Sequence, residues 1–180
     1  NERYLADLRG AYRTLWTHGI PTDIVTPKMD WSSYRLILMP NLALMTEEAR
    51  SRIEKTLADQ PESRIVAEGS FGMYQANGAS SYRPPEGFAN TLGVRVADLS
   101  RVTTLDISRG RNVLQTHYGD VILDTECGYA VLEPTGDSEA IATLDGQTVG
   151  VQTADGRFTW LGLTLSAGFG DVATPLVTLG

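Results

Sequence analysis

The chain has 180 residues and a mass of 19.6 kDa, and 42% of its residues are hydrophobic, which is typical of a folded globular protein and excludes a disordered chain. Its net charge of −7 argues against nucleic acid as a partner, because that binding depends on basic contacts to phosphates. The single cysteine excludes an intrachain disulfide framework, and no uncharged stretch is long enough to span a membrane. We expect one domain over residues 1–180, a cytoplasmic protein without membrane or nucleic-acid partners.

The first half of the chain alternates helical and strand patterns. Leu5, Leu8, Tyr12 and Leu15 recur at helical spacing and predict an opening helix that ends at a glycine. A helix before the first strand suggests a βα unit whose opening strand is absent, and thus a piece of a larger protein. In chain order, the first half predicts a helix ending near residue 18, strands over 23–26 and 34–40, a helix from 46 to about 59, a strand over 64–68 and a short helix over 84–93.

The second half predicts short strands joined by tight turns. Two Asp-Gly pairs, at residues 145–146 and 155–156, separate apolar runs and indicate hairpins. The predicted strands cover residues 102–107, 113–116, 121–123, 130–132, 140–144, 148–152 and 158–163, and a final short helix is expected over 170–179. The pattern as a whole predicts an α/β fold, with a parallel sheet flanked by helices and antiparallel strands added in the C-terminal half.

Ser70 is the residue best placed for chemistry, because it follows a predicted parallel strand in the run Glu68–Gly72. That run is similar to a nucleophile elbow, although a glutamate occupies the first small position. A serine needs a base, and the chain has two histidines, His18 and His117. A hydrolase or amidotransferase-like enzyme using Ser70 and His117, with Asp120 or Glu126 as the third member, is the alternative function; a structural turn serine and a surface histidine are favoured.

For the other candidate sites, the sequence favours structural roles over functional ones. Cys127 is expected to be a small buried hydrophobe rather than a nucleophile. A calcium site at Asp120, Asp124 and Glu126 does not match a known loop spacing, so a solvated acidic surface is favoured. A carbohydrate-binding surface would use the tryptophans, for which core positions are favoured: Trp16, Trp31 and Trp160. We predict no catalytic residue, metal or cofactor site in this chain.

Three segments resemble the β-galactosidases of glycoside-hydrolase family 42. Residues 11–25, AYRTLWTHGIPTDIV, are similar to the family's Y-x-x-L-W-x-x-G-I-P-x-D-[IV]-V stretch. Residues 33–46, SYRLILMPNLALMT, are similar to its Y-[KR]-L-[IV]-[LV]-x-P-x-L-x-L-[MV]-[ST] run. Residues 92–96, LGVRV, match its L-L-G-V-x-V segment. The likeness is clear to about residue 99.

The resemblance implies a middle, trimerisation domain with a flavodoxin-like, three-layer parallel sheet like that of class I glutamine amidotransferases, without their catalytic cysteine. It implies that the catalytic glutamates lie in a preceding TIM barrel and that no family active-site residue maps onto this chain. The expected role is therefore non-catalytic: homotrimer assembly of a β-galactosidase-like enzyme, with its own subunits and the barrel as partners.

A trimerisation domain requires an exposed apolar patch larger than a monomer tolerates. Closed cyclic trimers use heterologous contacts, so two different patches per subunit are expected. Residues near strand ends are the candidates, and plain core packing is the competing interpretation for each of them. The candidates are Trp31, Phe71, Met73, Tyr74 and the apolar residues of 42–45.

Overall fold

The computed structural model describes residues 2–81, 84–110, 112–123 and 126–165. The helix predicted over 170–179 lies outside the described residues. The described helices are α1 (Glu2–Thr17), α2 (Glu47–Asp59) and α3 (Thr104–Ser108). The described strands are β1 (Leu36–Pro40), β2 (Leu44–Met45), β3 (Arg64–Glu68), β4 (Tyr74–Gln75), β5 (Val94–Val102), β6 (Val113–Thr116), β7 (Gly119–Ile122), β8 (Cys127–Pro134), β9 (Glu139–Leu144), β10 (Gln147–Gln152) and β11 (Phe158–Leu161).

Within the described residues the main sheet has seven strands in the order β1-β3-β11-β10-β9-β6-β7. Only β1, β3 and β11 run parallel to one another, and the other four pairings are antiparallel. The fold is therefore mixed α/β, as expected, with antiparallel strands in the C-terminal half. The prediction of a flavodoxin-like three-layer parallel sheet is wrong. The connections between β6 and β7 and from β9 to β11 are too short for the crossovers that parallel neighbouring strands need.

Sequence patterning found most elements of this fold. The predictions of α1, β1, α2 and β3 are confirmed, and Thr46 caps α2 by accepting a hydrogen bond from the Ala49 N–H at 3.2 Å. The Asp145-Gly146 turn joins β9 to β10, and both residues have positive φ (50° and 77°), as a two-residue hairpin turn requires.

Three predicted elements are wrong. Residues 23–26, all described, form no strand, and Ile24 is 57% exposed with no sheet to cover it. Residues 84–93 form turns rather than a helix. The strand predicted over 102–107 is instead the end of β5 followed by α3, because Thr103 and Asp106 form a capping box in which each side chain accepts from the other's backbone N–H.

The buried residues within the described ranges form two apolar clusters. The first surrounds the parallel strands and α2, and its centre is an aromatic group in which Phe71 lies 5.5 Å from Phe158 and 5.8 Å from Trp160, measured between ring centroids. The second lies under the antiparallel strands and includes Leu114 and Leu144. β5 and β8 form a separate antiparallel pair that contributes residues to both clusters.

Candidate functional site

The turn after β3 places Ser70 at the carboxyl end of the parallel strands. Gly69 and Gly72 both have positive φ (64° and 62°), and a Cβ at Gly72 would lie 2.9 Å from the Glu86 backbone nitrogen, so the turn requires glycine there. The Ser70 N–H donates to Oδ1 of Asn41 at 3.1 Å, and the Trp160 indole N–H donates to the Gly69 carbonyl at 3.0 Å. These bonds fix the turn to β1 and β11.

The structure does not bring Ser70 and His117 together. Ser70 follows β3, whereas His117 is an exposed residue in the turn between β6 and β7. Three strands, β11, β10 and β9, separate β3 from β6, which corresponds to about 19 Å along the sheet. The His117 N–H donates to the Ile141 carbonyl of β9 at 3.1 Å, which ties the turn to the far half of the sheet. The Ser70–His117 hydrolase is therefore not supported.

The other sequence candidates also show no assembled site. Trp31 and Trp160 are 4% and 0% exposed, so neither offers a ring face to a sugar. Trp16 is 69% exposed, so the core position predicted for it is wrong. Glu126 accepts from the Thr104 N–H at 2.9 Å and from its hydroxyl, and Asp124 lies outside the described residues. Within the described part of the chain, no group of three or more histidine, cysteine, aspartate or glutamate side chains is arranged to hold a metal ion.

Three of the residues predicted for an exposed patch belong to the core. Trp31 (4% exposed), Phe71 (0%) and Met45 (3%) are buried within the chain itself, so their assignment to a surface patch is wrong. Met73 and Leu42 are partly buried against the same core. Leu44 and Tyr74 are 42% and 44% exposed and lie opposite each other in the parallel β2–β4 pair, so they form a small apolar surface.

Among the described residues, α1 carries a row of exposed large apolar side chains. Leu5, Tyr12 and Trp16 are 43%, 37% and 69% exposed and follow one another at seven- and four-residue intervals, so they share one side of the helix. We call these three residues the helix face. The side of α1 that packs inward is small and polar instead, with Asp7 and Gly10 buried. The helical spacing predicted this apolar stripe, but it did not show that much of the stripe is exposed.

The charged groups with shifted pKa values lie on the surface and support strands and turns. Arg95 and Glu133 are opposite residues of β5 and β8, and two hydrogen bonds of 2.9 and 2.7 Å join the guanidinium to the carboxylate. These bonds, and the positive charge of Arg95, lower the pKa of Glu133. The Thr153 hydroxyl lowers the pKa of Asp155 by donating to its carboxylate at 2.6 Å, and the Arg157 N–H contributes a further hydrogen bond. These shifts accompany structural contacts rather than a catalytic cleft.

None of the helices within the described residues has the length and apolar character needed to cross a bilayer.

The chain is similar to known proteins over most of its length. The family model described as "Beta-galactosidase trimerisation domain" matches residues 1–126. β-Galactosidase GanA of Bacillus subtilis is 41% identical over 58 residues, which are 32% of this chain and 9% of that protein.

Solved structures share the fold at low sequence identity. A β-galactosidase from Bacillus circulans sp. alkalophilus superposes with a TM-score of 0.73 and 15% identity, over 92% of this chain and 26% of that one. A β-galactosidase from the haloarchaeon Halorubrum lacusprofundi gives a TM-score of 0.72 and 19% identity, over 92% of this chain and 25% of that one. The chain thus spans about a quarter of the length of these solved relatives.

Proposed function

The chain belongs to the β-galactosidase trimerisation domain family, and from that premise we propose that it is the non-catalytic assembly domain of a larger glycoside hydrolase that acts on terminal β-galactosides. The observation that carries the proposal is the family match over residues 1–126. The exposed helix face and the separation of Ser70 from His117 support it, because the first offers surface to a partner and the second excludes the nucleophile–base pair that those two residues would form.

The proposal assigns bond cleavage to another part of the molecule. In this arrangement residues 1–180 form one domain, and the catalytic glutamates lie on a TIM barrel that precedes it. The solved relatives support this division, since the chain covers about a quarter of their length, 26% in one case and 25% in another. The partners are then two further copies of the protein and its own barrel, with no cofactor.

We also propose that the parallel part of the sheet, and no other part, has the fold of class I glutamine amidotransferases. The parallel order β1-β3-β11 and the tight turn at the end of β3 support it. A cytoplasmic location, without nucleic-acid or membrane partners, is likewise our proposal; the single cysteine and the charge of −7 support it.

The test uses the protein at its full natural length. Sedimentation velocity is expected to give a trimer, and hydrolysis of o-nitrophenyl β-galactoside is expected to exceed that of the β-glucoside and β-mannoside. The 180-residue chain alone is expected to hydrolyse none of these substrates. A full-length protein that is monomeric and fully active would contradict the assembly role, and hydrolysis by the 180-residue chain would contradict the non-catalytic role.

A further inference from the structure

We propose that the helix face of α1 is the surface on which the catalytic barrel of the same subunit packs. This inference rests on the proposed function, which places that barrel directly before α1. It deepens the function by assigning α1 to the contact between the two domains and by leaving trimer formation to other surfaces of the chain. The partner is therefore the preceding domain of the same polypeptide.

The helix face lies on the opposite side of α1 from the residues that meet this domain. Asp7 and Gly10 are buried, and the Asn41 amide donates to Asp7 at 3.0 Å, so their side of the helix contacts the end of β1. At about 100° per residue, the helix face is centred about 170° around the helix axis from Asp7 and Gly10. The described part of this domain therefore covers one side of α1 and leaves the apolar side open.

Exposed large apolar side chains are concentrated at the start of the chain. Among the described residues fifteen such side chains are exposed, and seven of them lie at or before residue 29, whereas the other eight are spread over residues 36–122. The seven are Tyr4, Leu5, Tyr12, Trp16, Ile20, Ile24 and Met29. A concentration of this kind marks an interaction site. Its position beside the connection to the barrel indicates the barrel as the partner.

The covalent connection favours the barrel over a second copy. A domain joined to one end of the helix is held near it at an effective concentration on the order of millimolar, which separate copies of a protein rarely reach. Trp16 lies about 21 Å along the helix axis from Glu2, which is less than the diameter of a small domain, about 30 Å. One adjoining domain is therefore wide enough to cover the whole helix face.

The side chains of the helix face suit a packed contact between domains. Tyr12 and Trp16 are aromatic, and aromatic residues contribute most to such contacts because they bury a large area with few rotatable bonds. The two rings are 37% and 69% exposed, so roughly 200 Å² of their surface is open to a partner. Contacts between domains bury about 600–1,500 Å², so these rings supply a substantial part of one side. Trp16 is expected to be the central contact.

Hydroxyl-radical footprinting of the unmodified full-length protein, read by mass spectrometry, tests the contact directly. The modification rates of Trp16 and Tyr12 are each compared with the rate of the same residue in the urea-unfolded protein, and Trp160, which is 0% exposed, is the buried reference. If the barrel covers the helix face, modification of Trp16 is lost to the level of Trp160. Modification at the rate expected of a ring that is 69% exposed would overturn the inference.

A dilution series separates the barrel from a second copy as the covering partner. A contact within one polypeptide does not depend on concentration, so Trp16 is expected to keep its protection over the whole series, in trimer and monomer alike. Protection that disappears as sedimentation shows the trimer dissociating would assign the helix face to a second copy and overturn the inference.

Trp16→Glu and Ile122→Glu are matched variants of the full-length protein. Both replace side chains that this domain leaves exposed, so both are expected to keep the circular dichroism of the unmodified protein. Trp16→Glu is expected to open the contact, so modification of Tyr12 rises towards its rate in urea while the mass by sedimentation equilibrium stays that of the trimer. Ile122→Glu, on the edge strand β7, is expected to leave Tyr12 protected. Loss of the trimer in Trp16→Glu would place the helix face between subunits and overturn the inference.

The outcomes separate this inference from the proposed function. A trimeric protein in which Trp16 reacts freely would overturn the inference and leave the assembly role intact. A monomeric, active protein in which Trp16 is protected would contradict the assembly role and support the contact between α1 and the barrel.

Discussion

The side-chain amide of Asn41 donates to the fully buried carboxylate of Asp7 at 3.0 Å, while its oxygen accepts from the Ser70 N–H at 3.1 Å. One side chain thus joins α1, the end of β1 and the turn after β3. Asn41 also has a φ of 52°, a conformation that asparagine tolerates better than most other residues. This contact ties the side of α1 that carries the buried Asp7 to the end of β1.

Replacing Asn41 with alanine is expected to lower the free energy of unfolding by about 3 kcal/mol. The change removes a hydrogen bond to a fully buried carboxyl group and puts alanine, which has no polar side chain to compensate, at a positive φ. Urea denaturation measures the loss. Asn41→Gly is the control, and because glycine accepts positive φ it is expected to recover about 1 kcal/mol relative to alanine. Equal stability of the alanine variant and the unmodified protein would show that the Asp7 contact contributes little.

Replacing Phe71 with alanine is expected to cost about 3–5 kcal/mol in unfolding free energy, because the ring is fully buried among Phe88, Phe158 and Trp160. Tyr74→Ala, at a ring that is 44% exposed, is expected to change stability by less than about 0.5 kcal/mol. Thermal and urea denaturation measure both. A Phe71→Ala variant that keeps full stability but loses its trimer would instead return this residue to the subunit contact.

Gly162 has no room for a side chain, so Gly162→Ala is expected to destabilise the fold by about 1–3 kcal/mol. A Cβ there would lie well inside van der Waals contact with the Ala130 carbonyl oxygen, the backbone group of β8 that faces it. Gly128→Ala, in β8, is the matched control, because the atom nearest to a Cβ there, the Ser100 carbonyl oxygen, would be 3.8 Å away. Denaturation midpoints compare the two, and equal effects would contradict a specific clash at Gly162.

The carboxylate of Asp155 is expected to titrate below the usual pKa of an aspartate, because the Thr153 hydroxyl and the Arg157 N–H donate to it. A pKa that is lower in the folded than in the unfolded chain stabilises the fold fully above about pH 4, and this stabilisation is lost as the pH falls through the lower, folded value. NMR titration of the side chain measures the pKa. Thr153→Val removes the main donor and is expected to raise the pKa towards the usual value. An unchanged value would assign the shift to another contact.

Sequence patterns correctly predicted the elements whose conformation depends on residues adjacent in the chain, such as helix caps and tight turns. Thr46 with its following glutamates predicts the start of α2, and the Asp145-Gly146 pair predicts a hairpin, because capping and positive-φ turns depend on neighbouring residues. The same kind of signal, Thr103 with Asp106, was present for α3 but was outweighed by the β-branched and apolar residues around it. Residues 23–26 have strand-like composition, yet a strand exists only with a partner, which composition does not supply.

The sheet order and the surface were less accessible to sequence analysis. The position of β11 beside β3 pairs residues more than 90 positions apart, such as Ile65 with Phe158, and no local pattern encodes that pairing. For the same reason, the sequence predicts an exposed turn position for Phe71, whereas Phe88, Phe158 and Trp160 surround its ring in the fold. Spacing correctly identified the apolar stripe of α1, but which side of a helix meets the protein depends on tertiary contacts such as that of Asn41 with Asp7.

The position of β11 also has a consequence for biosynthesis. β11 is the last strand of the described chain, yet it lies between β3 on one side and β10 on the other. A nascent chain that has emerged only as far as Arg157 therefore contains the parallel pair β1–β3 and the antiparallel strands β10, β9, β6 and β7. No strand yet joins these two parts. Translation must continue past Leu161 before the two halves form one sheet, so this domain completes its folding late, and the open edges of β3 and β10 stay available for mispairing until then.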